Sequence, residues 1–147
     1  MVRIPAIEEV MTPFPDSLDV ECPLGTAVEF MRREDLEYVP VVEDGTVYGV
    51  LSRGELAESA LSHGLAETRL RQVCGRDALV VQSGEPLDAV LAKLIASKQR
   101  CAIVIAGSRV VGMFSAAEAF QSFHAWLLHH GWTDEEEFHF ELEVEDA

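Results

Sequence analysis

Apolar and polar positions alternate in two rhythms that recur along the chain. Leu24, Ala27, Val28 and Met31 recur at helical spacing, which predicts an amphipathic helix over 24–34. Pro23 suits its first turn, where the missing amide N–H would be unpaired anyway. Tyr38 to Val42 and Thr46 to Leu51 are β-rich runs around Glu43-Asp44-Gly45, a hairpin signal. Leu18 to Val20 predicts a short extended segment before the helix. Ser52 opens a second helix to about His63, with Gly64 as its C-cap. Further on the series returns: an extended segment at 79–81, a helix at about 86–97, strands at 101–106 and 109–115 turning at Gly107-Ser108, and a helix at about 116–130. Gly131 follows that helix, and His129 and His130 sit near its negative end.

Sliding the chain by 63 residues aligns its halves without a gap. Pro23-Leu24 falls on Pro86-Leu87, Val41 on Val104, Val47 on Val110, and Gly49, Ser52 and Glu55 on Gly112, Ser115 and Glu118. The fold class expected is therefore α/β, built of two tandem β-α-β-β-α units joined by a polar linker near 64–69. At this size neither unit buries its sheet face alone, so the two should pack together.

Charge narrows the function. The net charge of −15 disfavours nucleic acid and anionic membrane surfaces as partners. It is unevenly spread: no Lys or Arg follows Arg109, while nine acids do, so a locally basic cleft remains compatible with an anionic ligand. No apolar run approaches the roughly 20 residues of a membrane span, and the first residues do not read as a signal peptide. Cys22, Cys74 and Cys101, with no CxxC pair, read as reduced thiols of a cytoplasmic protein.

Enzyme chemistry finds no foothold. There is no Ser-His-Asp elbow, phosphate-binding Gly-rich loop or dinucleotide fingerprint. His63, His124, His129, His130 and His139 lack metal-ligand spacing, so no metal site is expected. A non-enzymatic protein is the expectation.

The two β-α-β-β-α units, each ending in G-h-h-S-x-x-E (h, an apolar residue), resemble a CBS domain pair, or Bateman module. Val10-Met11-Thr12-Pro13 and Tyr38-Val39-Pro40-Val41-Val42 add to the likeness, which covers roughly residues 7–125. The resemblance implies repeats at 7–64 and 70–127, pseudo-twofold packing, and clefts that take AMP, ADP, ATP or a related adenosine ligand as a regulatory signal. It implies homodimers and an effector protein, here unknown. Carried onto this chain, it places Thr12, Tyr38, Val39 and Pro40, with the counterparts Ala102 and Ile103, around the ligand. Ser52 and Ser115 fall near ribose or phosphate, Arg53 near phosphate, and Glu55 and Glu118 where the family usually has the ribose-binding Asp. The second repeat departs further, with Cys74-Gly75-Arg76 for Met-Thr-Pro and Ala116 for the Arg.

Plainer readings stand beside these. Ser-x-x-Glu at a strand-to-helix junction is also a capping box, which needs no ligand. Most of the Tyr38–Val42 run suits core packing, and a degenerate pair serving only as a dimerisation or interaction scaffold is the alternative function. Phe120, Phe123 and Leu127, with Trp126 on an adjoining face, give the last helix apolar residues suited in part to a subunit interface. In the acidic extension, 128–147, Phe138, Phe140, Leu142 and Val144 alternate with polar residues, predicting a strand, while Thr133 to Glu136 offers a rival helix start.

Overall fold

The computed structural model describes residues 3–129, which fall in two compact units divided after Ser115. The expected strand at 138–144 and the Gly131 cap lie outside the described residues.

The first unit opens with a 3-10 turn, Ile7–Glu9, and carries seven strands: β1 (Thr12–Pro13), β2 (Leu18–Asp19), β3 (Tyr38–Glu43), β4 (Thr46–Ser52), β5 (Leu79–Gln82), β6 (Cys101–Ala106) and β7 (Arg109–Ser115). Its helices are α1 (Leu24–Arg33), α2 (Arg53–Ser62), α3 (Leu70–Val73) and α4 (Leu87–Ser97). The strands form two sheets, ordered β2-β3-β4 and β1-β7-β6-β5. The second unit, as far as described, is α5 (Ala116–His129), with Glu118 in its first turn and His129 in its last.

The 63-residue repeat holds at the level of register. Leu18 pairs with Val41 as Val81 pairs with Val104, and the same irregularity falls after Val41 and after Val104. Asp44 (φ 51°) and Gly45 (φ 81°) form the tight turn that Asp-Gly predicts, since two successive left-handed residues match the twist of the flanking strands. Gly107 (φ 66°) opens the second hairpin turn.

One feature of the repeat is not visible in the periodicity. The short helical turn that leads each repeat docks on the other repeat. Ile7 N donates to Glu85 O (2.7 Å), and Leu70 N donates to Cys22 O (3.0 Å). Leu87 N donates to Pro5 O and Leu24 N to Thr68 O, both at 2.8 Å. These bonds satisfy amides at the starts of α1 and α4, where Pro23 and Pro86 offer no side-chain cap. Ile7 and Leu70 are both fully buried. Leu70 and Cys74 thereby join Val20, Leu24, Ala27, Met31, Val39, Val41, Leu51 and Leu56 in one apolar cluster.

Glycines permit this exchange. A Cβ on Gly49 would meet the Gly75 carbonyl oxygen and the Cys74 sulfur, and one on Gly112 would meet the Met11 side chain. The leads differ in one respect. Thr12 and Pro13 pair with Met113 and Gly112 and add a strand, whereas Cys74-Gly75-Arg76 approaches β4 without forming one.

Two expectations change. Gly64 is not a left-handed cap: α2 ends at His63 in an extended conformation, and the His63 ring lies 3.0 Å from the Ser59 carbonyl. The left-handed cap occurs instead at Lys98 (φ 59°), ending α4. The linker is also shorter than expected at its far end, since Arg69 already bridges to Pro23 and α3 follows at once.

Candidate ligand-binding site

Tyr38 and Ser52 face each other across the first hairpin as strand partners, at the start of β3 and the end of β4. Ser52 is also the N-cap of α2, so the hairpin's open end and the helix's amide-rich end coincide. Beside them lies a cleft of about 440 Å³, lined by Glu37, Tyr38, Val50, Ser52, Gly54, Glu55, Lys98, Gln99, Arg100 and Cys101. Its second wall is the loop between α4 and β6, brought there by the packing of the two halves.

Of the residues singled out in the sequence, Tyr38, Ser52 and Glu55 meet in this cleft. Burial raises the Tyr38 phenol above its usual value, nearby Cys101 adds to the rise, and Arg100 opposes it. The hydroxyl therefore stays protonated at neutral pH and can donate. Ser52 Oγ accepts from Glu55 N (3.1 Å), while Glu55 Oε1 accepts from Ser52 N (3.2 Å). This is the reciprocal capping box, and it holds the glutamate back on its own backbone.

Other positions fall elsewhere. Val39, Ala102 and Ile103 are fully buried, and Pro40 is buried beside them; none lines the cleft. Thr12 is exposed on β1, opposite Met113. Ser115 ends β7, paired with Cys101 as Ser52 is with Tyr38. Glu118 belongs to α5 in the second unit.

Arg53, expected near a phosphate, is turned away. Its Nε donates to Leu36 O and its Nη2 to Asp35 Oδ1, both at 2.9 Å, and Nη1 lies 3.6 Å from Glu37. The fork geometry of guanidinium suits this carbonyl and carboxylate pair, so Arg53 ties α2 to the end of α1. It lines a separate cavity of about 330 Å³ with Val28, Met31, Leu56 and Ala57.

Sequence reasoning missed Lys98, Gln99 and Arg100. The signal was present as a cationic loop directly before the second hairpin, at the place where the first repeat has Asp35-Leu36-Glu37. Lys98 and Arg100 take part in no ion pair among the described residues.

Residues 7–62 match the family model of the CBS domain. The first repeat is a CBS domain. No curated protein sequence matches the chain. Among solved structures it resembles a protein named for acetoin utilization (AcuB) from Vibrio cholerae, at 23% identity and a TM-score of 0.74, over 89% of this chain and 100% of that one. It resembles the CBS domain pair of protein MJ0100 in complex with 5′-methylthioadenosine and S-adenosyl-L-methionine, at 16% identity and a TM-score of 0.74, over 84% and 98% of the two chains. CBSX2 in complex with AMP is similar at 17% identity and a TM-score of 0.69, over 82% and 96%. At these identities the likeness establishes the fold, which is that of CBS domain pairs. Among the described residues, no helix is long and apolar enough to cross a membrane.

Proposed function

We propose that this chain is a non-catalytic regulatory module, its two repeats at 7–64 and 70–127, which binds an adenosine-type ligand such as AMP, ADP or ATP and signals occupancy to an effector protein. The observation that carries this reading is the cleft where Tyr38, Ser52 and the start of α2 meet the loop of the other repeat. Its wall joins a phenol and a hydroxyl to the start of a helix, with the carboxylates Glu37 and Glu55 on that side and the cations Lys98 and Arg100 opposite. Such an end favours an anion through its dipole, while its Arg53 and Glu55 amides already donate to Glu37 O and Ser52 Oγ. The structures of MJ0100 with 5′-methylthioadenosine and S-adenosyl-L-methionine, and of CBSX2 with AMP, show that CBS proteins of this fold take such ligands. Because the cleft draws on both repeats, a ligand there would bias how they pack, which is the physical route from binding to regulation.

A second reading, a ligand-free interaction scaffold, draws support from one observation: Glu55 is already satisfied by the capping box and needs no ribose. Thermal melts with AMP, ADP, ATP and 5′-methylthioadenosine separate the two. A nucleotide at about 100 times its Kd stabilises a protein that binds it by roughly 2.7 kcal/mol, a readily measured rise in Tm. No rise with any of these compounds at millimolar concentration supports the scaffold.

A further inference from the structure

The two leads make the same backbone bonds on opposite repeats. Ile7 N donates to Glu85 O (2.7 Å) and Glu8 N to Ser83 O (3.2 Å). At the equivalent positions Leu70 N donates to Cys22 O and Arg71 N to Val20 O, both at 3.0 Å. Their side chains are not alike. In the second lead the Arg71 guanidinium binds Glu21 at 3.0 Å and also Glu43. It lies 5.8 Å from the centre of the Tyr48 ring, which Arg76 covers at 4.5 Å. Tyr48 Oη closes the clamp by donating to Arg71 O (3.3 Å). A single exposed ion pair adds little, but one guanidinium shared by two carboxylates and a ring forms a network. The repeat puts Glu8, Pro13, Gly84, Ala106 and Val111 at the counterparts of Arg71, Arg76, Glu21, Glu43 and Tyr48, and no cation stands among them to pair with Glu8. The first lead's own ion pair, Arg3 to Glu9 at 2.9 Å, lies within the lead and does not reach the second repeat.

The chain leaves the first lead through Phe14, at φ 45°. In that left-handed conformation the Cβ of any residue but glycine crowds the carbonyl that follows it. The Phe14 ring, 79% exposed, gains no packing in return. Its counterpart Asp77 is not left-handed. Attachment holds Phe14 there: its N–H donates to Val111 O (2.8 Å), directly after Thr12 and Pro13 pair with Met113 and Gly112. We infer that residues 3–13 are a releasable strap, hinged at Phe14, which swings off the second repeat while both sheets stay folded. Release lets the Phe14 φ return to negative values, so the strain is carried by the attached state alone and eases opening. Against opening stand the backbone bonds and one fully buried side chain, Ile7. Opening bares the outer edge of β7 and the socket of Ile7, and such an edge can pair with another extended segment. The strap therefore changes the module's surface without unfolding either repeat, and it needs no ligand to do so.

Amide hydrogen exchange read by NMR tests this on the full chain, in wild type, Phe14→Asn and Phe14→Val. Leu70 and Arg71 are internal controls, because their amides make the same bonds as those of Ile7 and Glu8. In wild type the Ile7, Glu8 and Phe14 amides should exchange together, about tenfold or more faster than the controls, and at a rate that low urea leaves unchanged, as local opening does. Asparagine tolerates the left-handed region, so Phe14→Asn should slow strap exchange several-fold; a β-branched residue fits it worst, so Phe14→Val should quicken it. The controls should keep one rate in all three proteins, since the Phe14 side chain is exposed and its replacement leaves the core intact. Strap amides as protected as Leu70 and Arg71 overturn the inference. So does a strap that opens at the same rate in all three proteins, which is fraying of a chain end and not motion about a hinge.

Discussion

A missing side chain does as much here as any that is present. Gly49 and Gly112 occupy equivalent positions, yet what a methyl group would meet differs: rigid backbone and the Cys74 sulfur at Gly49, the flexible Met11 side chain at Gly112. Gly49→Ala should therefore cost about 1–3 kcal/mol, as overpacking in a filled site does. Gly112→Ala should cost distinctly less, because a methionine can swing aside. Urea melts of the two variants decide this, and equal losses would show that close approach is not the cause. Glu85 gives the residue-scale pH dependence. Its carboxyl is held below the usual value of 4.5, first by the hydrogen bond from Lys93 and then by the amide of Gln82. A folded value below the unfolded one means that the stabilisation is fully present above about pH 4.5 and is lost as pH falls through the folded value. Glu85→Gln should accordingly be less stable at pH 7 and show a flatter acid decline between pH 5 and 3, read from melts across that range.

At the scale of elements, the exchanged leads matter more than any single strand. The turn Ile7–Glu9 and helix α3 are too short to persist alone, and each is held by hydrogen bonds to the opposite repeat and by one buried aliphatic residue. Leu70 comes after the first repeat in sequence yet sits in that repeat's apolar cluster. Leu70→Ala should therefore destabilise the first repeat, by about 2–5 kcal/mol for a fully buried leucine. Hydrogen exchange is the measurement: protection should drop in β3 and α1, which share the cluster, as well as around α3. Loss confined to 70–73 would mean that the lead is an ornament rather than part of the core.

At the scale of the molecule, the helices leave apolar surface uncovered. Leu61 on α2 is 90% exposed and Phe120 on α5 is 77% exposed. Isolated exposed leucines are ordinary, but aromatic rings in water favour burial against a partner. A homodimer is the expected state, and light scattering should give about twice 16.2 kDa at tens of micromolar. Phe120→Glu should shift that mass toward the monomer without lowering the melting temperature of the first unit's core. A wild-type monomer at that concentration would remove the dimer from the account.

Local chemistry let the sequence by itself determine the elements. Period-2 runs, the Asp44-Gly45 turn and the helical stripe from Leu24 to Met31 each act over a few residues, and β6 and β7 occupy the bounds that the pattern predicts. The capping box at Ser52 was equally legible, because cap and partner lie three residues apart. What only the tertiary structure decided is whatever depends on residues far apart meeting. Arg53 reads as a phosphate ligand until Asp35 and Leu36 are seen beside it, and Val39 and Ile103 read as cleft walls until the sheets bury them. The loop Lys98–Arg100 carries no motif, and it gains meaning only because packing of the two halves sets it against Ser52. Periodicity reports which face of an element is apolar; it does not report which other element that face will meet, and a binding cleft is made of such meetings.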